Sequence, residues 1–108
     1  MNITVEKREA GKTVRVFGDI NRHELTSLKT ELKEISSVKS FVVDLTEADF
    51  AGTDFINMLA ELRRVYAPFI RRLILRNPNE LIQDLLEISQ LSSVFNIEHT
   101  VKKTAVLC

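Results

Sequence analysis

Phe41-Val42-Val43-Asp44-Leu45 is too continuously apolar for a strand with one wet face. The run reads as a central strand covered on at least one side, so the remaining residues have to supply its neighbours and its cover. They do so in alternating blocks. Ile3 and Val5 alternate with polar residues, and so do Val14 and Val16. Glu9-Ala10-Gly11-Lys12 supplies a turn between these runs, which predicts an N-terminal hairpin. Leu25, Leu28, Leu32 and Ile35 recur at helical spacing with charged residues between them, and Ser36-Ser37 closes that helix. A second helix is marked by Ile56, Leu59, Ala60, Leu62, Arg63 and Tyr66, and Pro68 interrupts it. Arg72 to Arg76 is a second short core strand. Asn77-Pro78 fits a cap with proline in the first turn, and Leu81, Ile82, Leu85, Leu86 and Ile88 form a third helical face. Val94, Phe95 and Ile97 suggest a last strand, and residues 100–107 fit either a short terminal helix or a frayed tail.

This order predicts an α/β layer whose sheet is mostly parallel after the hairpin. At 108 residues, the chain is long enough for one core and one domain, residues 1–108. Two strand–helix junctions, Gly18 to Asn21 and Asp49 to Asp54, fall along the edge where open α/β sheets generally bind. Asp19 or Asn21 is placed to cap the first helix, and Thr53 or Asp54 to cap the second. Thr53 stands where a strand hands over to a helix. There, free N–H groups and the helix dipole favour an added phosphate or an acidic group.

Bulk properties narrow the function further. Fifteen basic and fifteen acidic residues balance, which gives no field for nucleic acid or an anionic membrane. No apolar run approaches signal-peptide or membrane-span length, so direct membrane insertion is not expected. The single Cys108 cannot form an intramolecular disulfide, in keeping with a cytoplasmic location. His23 and His99 are isolated and expected at the surface. With no phosphate loop, nucleophile elbow or paired carboxylates, neither catalysis nor a cofactor or metal is expected. The arginines at 63, 64, 71, 72 and 76 read as a solvated face. Phe41, Phe50 and Phe95 read as core, whereas Phe55 is a candidate exposed anchor beside the turn.

Four segments in this order resemble the STAS domain, the fold of bacterial anti-sigma factor antagonists and of the cytoplasmic tails of sulfate transporters. They are Gly18-Asp19-Ile20-Asn21; Phe41 to Thr46 followed by Asp49-Phe50; Gly52-Thr53-Asp54-Phe55; and Asn77-Pro78 with Leu85, Leu91 and Phe95. The resemblance covers nearly the whole chain. It implies a single domain with a hairpin, a mixed sheet of about four or five strands and about four helices. In that family, the hydroxyl following an Asp is phosphorylated by a partner serine/threonine kinase that is also the anti-sigma factor. Carried over by position, that hydroxyl is Thr53. Gly52 replaces the preceding acid, Asp54 the following hydroxyl, Phe55 the usual glycine, and Asn21 the upstream loop acid. Asp19, Asn21, Asp49, Gly52, Asp54 and Phe55 are then the expected partner contacts. A second expectation, from another class, is an accessory subunit of a phospholipid ABC transporter or an anion transporter. A third is a nucleotide or small-molecule binder at the same sheet edge, which rests on the fold alone.

Overall fold

A computed structural model describes residues 3–7 and 11–100. Ile3–Lys7 (β1) and Gly11–Val16 (β2) pair antiparallel, Ile3 against Val16 and Val5 against Val14, so the expected hairpin forms. Gly18–Ile20 (β3) and Arg22–Leu32 (α1) follow, then a 3₁₀ turn at Ile35–Ser37 and the strands Ser40–Asp44 (β4) and Ala48–Ala51 (β5). Thr53–Val65 (α2) leads through a 3₁₀ segment, Ala67–Arg72, into Leu73–Arg76 (β6). Glu80–Ile88 (α3) and Asn96–Glu98 (β7) complete the described fold. Pro68 sits at the start of the 3₁₀ segment, where its missing N–H and fixed φ are tolerated. The expected terminal helix or tail, and Cys108, lie outside the described residues.

The main sheet has five strands in the order β1-β2-β4-β6-β7, with every pair after the hairpin parallel. The order never reverses, so right-handed crossovers place all three helices on one face. Val14, Val43, Leu75 and Ile97 share one register row and face those helices. Phe41, Val43 and Leu45 are sealed in the core with Leu28, Leu59 and Ile82. On the other face, Arg15, Asp44, Arg76 and Glu98 form a row that alternates in sign across four strands. Arg76 Nε donates to Glu98 Oε1 at 2.7 Å, and Arg15 Nε lies 3.6 Å from Asp44 Oδ2. Opposite charges directly across a ladder stabilise its register. Val42 and Asp44 are also buried, so β4 is the covered central strand its composition requires.

Several local expectations need correction. Gly18 to Asn21 and Asp49 to Ala51 are not simple turns, because β3 and β5 pair in parallel as a separate two-stranded sheet. Gly18 enters it with φ 69°, a conformation that glycine adopts without a Cβ clash. The apolar stripe of α2 runs through Phe55, Met58, Leu59 and Leu62, one position out of phase with the expected Ile56 and Ala60. Asn79, not Asn77, caps α3, its side chain accepting from Ile82 N at 2.9 Å. Asn77 instead adopts φ 53°, and its amide bridges Thr46 Oγ1 (3.0 Å) and Thr100 Oγ1 (2.8 Å). Leu81 and Ile88 point outward rather than into the expected third core face. The arginines do not form one solvated face either. Arg72 lies over the Phe69 ring and donates to Ser36 and Val38 carbonyls, whereas Arg63, Arg64 and Arg71 are exposed.

A buried lysine fastens the far end of the sheet. The Lys12 side chain is 2% exposed, and its Nζ donates to Glu31 Oε1 at 2.5 Å and Glu34 Oε1 at 2.9 Å. Burial alone would lower the Lys12 pKa, but the hydrogen bonds and charges of the two glutamates outweigh it and hold the pKa above 10.5. The Lys12 hydrogen bond and charge, with help from Lys7, hold Glu34 below 4.5. Lys12→Met is expected to cost about 1–3 kcal/mol at neutral pH. The signs set the pH profile. A depressed carboxylate stabilises above its ordinary pKa and loses that contribution as pH falls through the folded value; a raised lysine loses its own as pH rises through its folded value. Urea titrations should therefore show the wild-type advantage shrinking below pH 4.5 and again above pH 10.5. A pH-independent difference would contradict this account of the lysine.

Candidate functional site

The small β3–β5 sheet determines how the site is assembled. Ile20 is in register with Ala51, and each is followed by the N-cap of a helix, Asn21 for α1 and Gly52 for α2. The two parallel strands therefore deliver two helix N-termini side by side at one edge. Two positive dipole ends then face the same solvent volume, which favours negative charge there. A groove of about 320 Å³ between the helices reaches both first turns, with Arg22, Leu25, Thr26, Asp54, Asn57 and Met58 among its walls.

The two caps differ. Asn21 Oδ1 accepts from His23 N (3.0 Å) and Glu24 N (3.5 Å), while Glu24 Oε1 accepts from Asn21 N (3.3 Å). This reciprocal capping box commits the Asn21 side chain to α1. At α2, Gly52 takes the cap position in extended backbone and offers no side-chain acceptor. Thr53 is thus the first residue of the helix, not its cap, and Asp54 is not the cap either. Phe55 N and Ile56 N bond to Gly52 O, while the N–H groups of Thr53 and Asp54 find no acceptor among the described residues. The Thr53 side chain is exposed, and its hydroxyl has no hydrogen-bond partner among those residues. A hydroxyl that a cap would have occupied is left available, beside two N–H groups that point to solvent.

The surrounding positions fall into two groups. Asp19, Asn21, Asp49, Gly52, Thr53 and Asp54 are gathered by the β3–β5 pair and the first turns of α1 and α2, with the three aspartates exposed. Asn79 Nδ2 donates to the carbonyls of Ala48 (3.2 Å) and Asp49 (3.0 Å), tying the start of α3 to β5. Phe55 does not belong to this surface. It is 0% exposed and packs in the core, which corrects its reading as an anchor. Phe50, expected in the core, is the exposed aromatic at 49%, in register with Asp19 and with its ring edge against Gly52. A helical stripe counted from Phe55 through Leu59 to Leu62 would have found this exchange in the sequence. Arg22 and Asn57 line the groove without having been singled out by any motif.

A family model for the STAS domain matches residues 2–104. No curated protein matches the chain significantly in sequence. Among solved structures, the chain resembles the anti-sigma factor antagonist SpoIIAA in its unphosphorylated form, with 17% identity and a TM-score of 0.73 over 96% of this chain and 92% of that one. The Bacillus cell fate determinant SpoIIAA in its phosphorylated form gives 16% identity and a TM-score of 0.71, covering 96% of each chain. An anti-sigma factor antagonist from Mycobacterium paratuberculosis gives 20% identity and a TM-score of 0.69 over 96% of this chain and 92% of that one. At these identities the likeness concerns the fold. Among the described residues, no helix is long and apolar enough to cross a membrane.

Proposed function

The chain belongs to the STAS domain family, and we propose that it is a cytoplasmic regulatory module of the anti-sigma factor antagonist type, controlled by phosphorylation of Thr53. Unphosphorylated, it captures an anti-sigma factor with serine/threonine kinase activity and so releases a sigma factor. The contact edge comprises Asp19, Asp49, Phe50 and Asp54, with Asn21 and Gly52 as the two caps beneath it. The observation that carries the reading is the exposed hydroxyl at the first position of α2, without a hydrogen-bond partner among the described residues and next to a second helix N-terminus. The two dipoles and free N–H groups accommodate a phosphate on Thr53. Within a contact surface, that phosphate adds roughly −1.5 to −2 charges beside Asp54, which weakens docking through like-charge repulsion and desolvation. Gly52 in place of the family's acid keeps one negative charge away from the acceptor. The likeness of the fold to anti-sigma factor antagonists supports this class of partner over a transporter subunit.

Co-purification from the native host tests the proposal. The Thr53→Ala protein is expected to retain a kinase-type anti-sigma factor stoichiometrically. Recovery of an ABC ATPase or a permease instead would replace this function with that of a transport accessory subunit.

A further inference from the structure

We propose that the outer face of α3 is a second docking surface, built for a basic amphipathic helix of a partner protein. The helix carries two apolar rows. Ile82 and Leu86 are sealed in the core, whereas Leu81 is 54% exposed, Ile88 is 79% exposed and Leu85 is half-buried between them. At 100° per residue, Leu81, Leu85 and Ile88 span an arc of only about 60°. Isolated surface leucines need no explanation, but three large aliphatics in one stripe mark an interaction site. The spacing is the i, i+4, i+7 pattern by which helices anchor to one another.

Charge selects the occupant. Glu80, Asp84 and Glu87 form a row along one flank of the stripe, and α3 contains no lysine or arginine. An anionic bilayer is repelled by that row. A second copy packed α3 against α3 offers this row no cation, because α3 carries no lysine or arginine, and in the antiparallel two-fold arrangement it would bring three acids against three. A helix with leucine-like anchors and a lysine or arginine margin satisfies both the stripe and the row. The surface uses none of the Thr53 edge, so the two proposals stand or fall separately.

The test uses the full-length ¹⁵N-labelled protein and two synthetic peptides about five turns long. Both have leucines at i, i+4 and i+7, one with lysine and the other with glutamate at its margins. The lysine peptide is expected to shift amide signals of residues 80–88 selectively. Leu81→Ser/Ile88→Ser should weaken it about tenfold or more, equivalent to about 1.4 kcal/mol, without changing the rest of the spectrum. Glu80→Lys/Asp84→Lys/Glu87→Lys should reverse the preference between the two peptides. Equal binding of both peptides by the wild type, or shifts centred elsewhere, would overturn the proposal. So would a dimer in sedimentation that the double serine variant dissociates, or phosphatidylglycerol vesicle binding lost in that variant. Tighter peptide binding by Lys102→Glu/Lys103→Glu would identify the occupant as the chain's own terminal segment and overturn it equally.

Discussion

Phe55→Ala should destabilise the protein by about 3–5 kcal/mol, whereas Phe50→Ala should change stability by less than about 1 kcal/mol. Phe55 has no exposed surface and lies in the same core as Leu59 and Leu62 on its own helix. Deleting its ring removes the transfer free energy of a buried aromatic and leaves a cavity that β5 and α2 can only partly close. Domains of this size are stable by only about 5–15 kcal/mol, so a large fraction of the total would be lost. The loss falls where it matters for the site, because Phe55 fixes the first turn of α2 and so the direction of Thr53 two residues earlier. Phe50 presents its ring to solvent beside Gly52, and its truncation should appear in partner affinity instead. Urea titrations of the two variants separate these roles. The opposite ranking would mean that α2 is rotated from the placement described and that Phe55 is the contact aromatic after all.

Thr53→Glu is expected to weaken partner binding by about 10–100-fold, or about 1.4–2.8 kcal/mol. Thr53→Ala should bind as tightly as the wild type. Glutamate carries one charge and reaches less far than phosphate, so the change understates the effect of modification. The exposed first-turn position makes either substitution cheap for the fold, since surface changes away from a cap usually stay within about 0.5 kcal/mol. Calorimetric titration of the purified partner therefore reads the interface and not unfolding. Equal affinity for both variants would remove Thr53 from the contact surface.

Much of this was written in the sequence at the level of periodicity. The continuous run at Phe41 to Leu45, the alternation of Val14 and Val16, and the leucines of α1 each follow from burial on one or two faces. The β3–β5 pair was not legible. Its strands are three and four residues long, lack alternation, and find their partners about thirty residues away, so tertiary context decides them. Yet this pair is what sets two helix N-termini side by side. The phase of α2 is ambiguous in the sequence because Ile56 sits next to Phe55 and either can begin an apolar stripe. The cap of α3 is ambiguous too, because asparagines flank Pro78 on both sides, and only the backbone separates a left-handed Asn77 from the capping Asn79. The outer and inner rows of α3 merge in the sequence, since composition alone does not separate two apolar faces on one helix. Thr53 itself is marked in the sequence by its place between a buried strand and a helix, and again by motif position. That its hydroxyl is left uncommitted depends on Gly52 taking the cap, which required backbone geometry.

Site-resolved mass spectrometry of the protein recovered from its own host, with and without removal of the co-purifying kinase gene, bears most directly on whether this hydroxyl is the control point. A single phosphate on Thr53, lost with the kinase and absent from the Thr53→Ala protein, is the predicted result. An unmodified Thr53 under every growth condition, or a phosphate placed consistently on another residue, would contradict it.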